Sequence, residues 1–158
     1  MTKQDHALAD AREMANILRT AKCMARYDKI AHELLSELLV ALVLGGEVVG
    51  GNNRGSDVLS NEYGRIEVKS RILGTDGPFP RVSLRKSNLE KADHFVAVRW
   101  NKDFSFYDAV MLSKNDVLRL YQEKKQSNGA AHIAWKSWLN SPSAVNLKDK
   151  ILYEITAP

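Results

Sequence analysis

The chain has little with which to staple or anchor itself. A single cysteine, Cys23, among 158 residues excludes an intrachain disulfide framework and a cysteine-rich zinc site, and makes a reducing compartment the default. The longest apolar stretch, Leu34 to Leu44, is broken by Glu37 and falls far short of the ~20 residues a bilayer-spanning helix needs. The first residues, with Lys3, Asp5 and Asp10, contain no apolar signal core. A cytoplasmic protein without a membrane partner is therefore expected. There is no internal repeat, low-complexity tract or evident linker, and four prolines and nine glycines are too few for a fibrous or disordered chain. Charge of one sign is also scarce: 23 basic residues face 19 acidic ones, a net +4, which is modest for a nucleic-acid binder.

What is present fits one α/β domain over residues 1–158, with a helical extension over about the first 26. That extension is rich in Ala, Leu, Lys, Glu and Arg, and Leu8, Ala11, Ala15, Leu18 and Ala25 fall near helical spacing. A second, strongly apolar helix runs from Ile30 through Leu34, Leu38 and Leu42 to the Gly45-Gly46 pair. Glu47 to Val49 reads as a short strand, and Gly50 to Gly55 is too glycine-rich for regular structure. Ser56 to Ser60 and Arg65 to Leu73 read as two strands about a turn at Asn61 to Gly64. Further strands are expected at Arg81 to Leu84, His94 to Trp100 and Phe104 to Leu112, with a helical turn at Lys86 to Lys91 and a helix capped by Ser113. Ile133 to Leu139 is short and aromatic, and Leu147 to Ile155 closes the chain as helix or strand. This order predicts a mixed central sheet flanked by helices.

The charge is unevenly placed. Between Arg65 and Lys91 stand seven basic residues (Arg65, Lys69, Arg71, Arg81, Arg85, Lys86, Lys91) against Glu67, Asp76 and Glu90. The remainder is balanced, so the whole excess lies in this stretch, either as a solvated surface or as a phosphate-binding face.

The same stretch holds the chemistry. A hairpin symmetric about Glu62 pairs Asp57 with Glu67. Directly opposed side chains lie ~4.5–5.5 Å apart at Cβ, and like charges there are destabilising without compensation. A divalent cation compensates, and hard carboxylate oxygens with water suit Mg²⁺. A period of two sets Lys69 beside Glu67, while Val58 and Val68 turn to the opposite, apolar layer. A lysine next to two carboxylates can hold an attacking water whose pKa a metal has lowered, an arrangement suited to phosphodiester hydrolysis. Glu123-Lys124-Lys125 repeats the acid-any-lysine pattern but falls at the polar end of a helix with no facing acid.

With a glutamate-bearing helix before the hairpin and a helix and further strands after it, the layout over about residues 28–112 resembles the PD-(D/E)XK nuclease superfamily of restriction endonucleases and Holliday-junction resolvases. The resemblance implies a restriction-endonuclease-like αβββαβ core and a Mg²⁺-dependent endonuclease acting on DNA, with Mn²⁺ able to substitute. By that similarity Asp57, Glu67 and the backbone carbonyl of Val68 hold the metal and Lys69 positions the water. The helix glutamate maps onto Glu33, with Glu37 one turn later as the competitor. The motif's proline is replaced by Ser56. Asn52, Asn53 and Arg54 would contact phosphate or base edges unless their loop is a plain turn, and Arg71, Arg81, Arg85 and Lys86 would line the backbone. A homodimer is expected for a small nuclease nicking both strands, through the first 26 residues or the aromatic tail. The competing reading is a non-catalytic nucleic-acid-binding or assembly subunit that keeps the fold.

Other residues point elsewhere. His6, His32, His94 and His132 lack metal-ligand spacing, the glycines match neither a Walker A loop nor a dinucleotide fingerprint, and Trp100, Trp135 and Trp138 read as packing residues.

Overall fold

Thr2 and Asp5 start the first helix by satisfying each other's main chain. Thr2 Oγ1 accepts the Asp5 N–H at 3.2 Å and the Asp5 carboxylate accepts the Thr2 N–H at 2.9 Å, a reciprocal cap that uses up donors no helical carbonyl can reach. Helix α1 (Lys3–Thr20) follows and exposes Leu8, Met14 and Ile17. It belongs to a unit, Met1–Ile30, that clusters apart from Ala31–Pro158. The computed structural model describes residues 2–21, 31–49, 56–75 and 80–156, so Cys23 and the Gly50 to Gly55 loop lie outside the described residues.

The second unit opens with α2 (His32–Val43). It stops where Gly45 adopts φ 64°, a left-handed conformation that glycine takes without Cβ strain and that ends helices. Strands β1 (Gly46–Val48), β2 (Val58–Ser60) and β3 (Gly64–Ile72) follow, then β4 (Val82–Arg85), α3 (Lys86–Lys91), β5 (His94–Trp100) and β6 (Phe106–Ser113). The chain continues through α4 (Lys114–Lys124), β7 (Ala130–Ile133), α5 (Trp135–Leu139), β8 (Val145–Asn146) and α6 (Lys148–Thr156). The expected hairpin, short strands and helical turn are all present, and the ambiguous last segment is a helix. Ser113 occupies the N-cap position of α4 without a capping side-chain bond. The expected hydroxyl cap is absent, and the Asp116 carboxylate in the first turn is taken instead by the Ser143 N–H and hydroxyl.

Six strands form a mixed sheet in the order β1-β2-β3-β5-β6-β8, with β3 and β5 parallel and the other neighbours antiparallel. A separate ribbon pairs β4 with β7. Side chains alternate across β3 and divide the protein into two cores. Val58, Ile66, Val68 and Ile72 pack with Leu39, Val40 and Leu44 of α2 and its end, and with Leu147 and Ile151 near and within α6. On the opposite face Phe95, Ala97, Val110 and Leu112 meet Val82 and Leu84 of β4, Leu89 of α3, Leu120 of α4 and Trp138 of α5. Trp100 and Trp138 are both buried, as packing residues should be.

A polar chain pins α2 to the sheet. Trp100 Nε1 donates to Ser36 Oγ, Ser36 and Ser70 share a hydrogen bond, and Ser70 Oγ meets His32 Nδ1, each at 2.8 Å. Because an indole N–H can only donate, Ser36 must accept from it, which gives this buried chain a defined starting direction.

Candidate active site

The hairpin register is the one its symmetry predicts. Val58 pairs with Ile66, Leu59 with Arg65 and Ser60 with Gly64; the paired register ends there, and Asp57, just before β2, reaches β3 through its own main chain and carboxylate. Asp57 is held from both sides: its carbonyl accepts the Val49 N–H at 2.9 Å and its N–H donates to the Ile66 carbonyl at 3.0 Å. Its carboxylate then accepts the Val68 N–H at 2.8 Å, standing in for the ladder partner that β2 no longer supplies. A strand residue sends its N–H and C=O to the same edge, so the Val68 carbonyl faces the Asp57 side as well.

Glu67 is 7% exposed despite lying on the polar side of β3's alternation. Two donors converge on one of its oxygens: Lys69 Nζ at 3.1 Å and Asn88 Nδ2 at 3.1 Å both engage Oε1. Burial pushes the Glu67 carboxyl above its ordinary value and the Asp57 charge pushes it further, while Lys69 and Lys91 pull it back. The net direction is upward, as expected where removal from water and a like charge outweigh nearby cations.

Asn88 is the residue that sequence reasoning missed. Its Oδ1 accepts the Arg85 N–H at 2.9 Å while its amide holds Glu67, so it ties the start of α3 to the carboxylate. Its only sequence signal is an Asn in the first turn of a helix, where capping alone would explain it.

The other expected site residues are distributed as follows. Glu33 lies in the exposed first turn of α2, with Oε1 3.1 Å from His32 Nε2, and α2 covers the face of β3 that carries Val68 and Ser70. Glu37, one turn on, is half-buried and engaged. Arg71 is turned to main-chain acceptors, the carbonyls of Arg81 at 3.3 Å and Ser70 at 3.0 Å. Arg81, Arg85 and Lys86 are exposed. Asn52, Asn53 and Arg54 fall outside the described residues. A groove of about 390 Å³ between α2 and α6, lined by Leu42, Val43 and Tyr153, belongs to the α2 face and not to the Glu67 face.

No family model and no curated sequence matches the chain. The site must be judged by its chemistry. Its donors are oxygens alone, and among the described residues no group of three or more His, Cys, Asp or Glu side chains forms a metal cluster. Mg²⁺ is commonly bound through one or two carboxylates with several waters retained, so Asp57, Glu67 and the Val68 carbonyl fit that ion better than Zn²⁺, which favours His and Cys.

Proposed function

We propose that this chain is a Mg²⁺-dependent endonuclease that hydrolyses phosphodiester bonds in DNA on a restriction-endonuclease-like core. The observation that carries the reading is the buried Glu67 beside the half-buried Asp57, whose charge acts on it, with Lys69 Nζ 3.1 Å from Glu67 Oε1; a hard cation would relieve these like charges. Asp57, Glu67 and the Val68 carbonyl would hold Mg²⁺, or Mn²⁺ in its place. The ion, when bound, supplies Lewis acidity toward a phosphoryl oxygen and lowers the pKa of water. Lys69 orients the attacking water, and Asn88 fixes the Glu67 carboxylate so that its remaining oxygen stays available. A homodimer would let two such sites nick opposite strands.

The test is nicking of supercoiled plasmid with Mg²⁺ and with EDTA. Wild-type protein should nick only with the metal, and Lys69→Ala or Asp57→Ala should abolish nicking while the circular dichroism spectrum is unchanged. Full cleavage by a folded Lys69→Ala protein overturns the assignment. One set of contacts favours the non-catalytic reading: Asp57 completes the main-chain ladder at Val68, and Glu67 is already answered by Lys69 and Asn88. That reading gives DNA retardation without nicking.

A further inference from the structure

A groove of about 230 Å³ runs between α3 and α4, lined by Lys86, Leu89 and Glu90 on one wall and by Lys114, Leu118, Tyr121, Gln122 and Lys125 on the other. The α4 wall is a single helical stripe, since its positions recur at intervals of three and four. Leu89 and Tyr121 are buried at its floor, and the charges along it are three lysines against one glutamate. Lys114 and Lys125 stand eleven residues apart, about 16 Å at 1.5 Å per residue. Lys114 is the first residue of α4, where the helix dipole disfavours a cation. Asp93, on which the Lys114 charge acts, offsets that cost in part, and an anion in the groove would offset it further.

Helix α3 is shared between this groove and the carboxylate pair. Asn88 and Lys91, three apart, act on Glu67, while Lys86, Leu89 and Glu90 occupy the neighbouring stripe and line the groove. A helix is ~10–12 Å across, and each DNA strand carries one phosphate per ~3.4 Å of axis. A backbone at Glu67 would reach the groove about three nucleotides away.

We propose that the groove between α3 and α4 is a DNA-binding track in which Lys86, Lys114 and Lys125 neutralise phosphates flanking the one at Glu67. The placement relative to the cut rests on the endonuclease reading; the binding itself does not. Three lysines against one glutamate, set along a track of about 16 Å, suit the evenly spaced phosphates of a nucleic-acid strand, and this charge pattern favours nucleic acid as the occupant.

The experiment is fluorescence anisotropy with a labelled 30-base-pair duplex in EDTA, where cleavage does not enter. Lys86, Lys114 and Lys125 are replaced together by Gln, and a control replaces the exposed Lys136, Lys148 and Lys150 by Gln. The groove variant should bind about tenfold or more weakly at 0.1 M salt, and its log–log salt slope should fall by about one per lysine, while the control keeps most of its affinity. Unchanged affinity and slope, equal losses in both triples, or a wild-type protein that does not bind the duplex would each overturn the track. Wild-type protein that binds through these lysines but never nicks plasmid with Mg²⁺ leaves the groove standing and removes only the endonuclease reading.

Discussion

Glu67 is where residue chemistry and fold stability pull apart. Its carboxyl is held above its ordinary value by burial first and by Asp57 second. A carboxyl raised in the folded state contributes stability that is full below its unfolded value and is lost as pH rises through the folded one. At neutral pH the charged Glu67 therefore opposes folding, and Glu67→Gln should raise the melting temperature at pH 7–8 with the gain disappearing in acid. A thermal series from pH 4 to 8 checks this, and a lower melting temperature for the variant at pH 7.5 would contradict it. Added Mg²⁺ at about a hundred times its dissociation constant should stabilise wild type by ~2.7 kcal/mol, an increment Glu67→Gln should lack. Asn88→Ala removes both the Glu67 contact and the acceptor for the Arg85 N–H. A loss of ~1–2 kcal/mol in urea unfolding is expected from the buried bond and the helix start, with a raised Mg²⁺ requirement. Glu67 and Lys69 were legible in the sequence because alternation along a strand fixes which side chains share a face. Asn88 was not, because nothing local connects it to a residue 21 positions earlier.

The hairpin is the element that converts sequence symmetry into a site, and Gly64 sets its register. Gly64 has φ 72°, and a Cβ built there would lie 2.6 Å from Asp93 Oδ2. That oxygen also accepts the Arg65 N–H at 2.9 Å, so the turn is locked to the strand end beside it. Arg65 holds the Asp93 carboxyl below its ordinary value, through its side chain first and its N–H second. Asp93 accordingly contributes stability above its unfolded value that is lost as pH falls, the opposite slope to Glu67. Gly64→Ala should cost about 2 kcal/mol through the left-handed backbone and displacement of Asp93, measured by urea denaturation. A change within experimental error would show that the turn relaxes without disturbing the pair. The register was readable from the sequence because one tight turn determines it. The β4–β7 ribbon was not: Ser83 meets His132 49 residues away, and two short strands carry no pattern that names a distant partner. That ribbon and α3 cover the Glu67 face, and for this reason an acid on the polar side of the alternation is buried.

Across the whole molecule, two-sided burial of the sheet makes the α/β unit self-sufficient. Both faces of β5 and β6, and one face of β3, contribute to closed apolar clusters, one with α2 and α6 and the other with α3, α4, α5 and the ribbon. All the residues of these clusters follow Ala31, and the chain clusters into separate units at that boundary. A protein beginning at Ala31 should therefore unfold in one cooperative transition, with an enthalpy of about 90 kcal/mol near 60 °C for 128 residues at ~0.7 kcal/mol per residue. Calorimetry on the shortened and full chains tests this. A broad transition, or an enthalpy well under half that figure, would show that the core depends on the first thirty residues. Helix α1, 18 residues long, leaves Leu8, Met14 and Ile17 exposed, apolar surface that a second copy could cover. If α1 pairs two copies, as its apolar stripe suggested in the sequence, sedimentation should show a dimer for the full chain and a monomer for the shortened one. Nicking by the shortened protein should then leave one strand cut for longer before the second, because each site would arrive at the duplex alone.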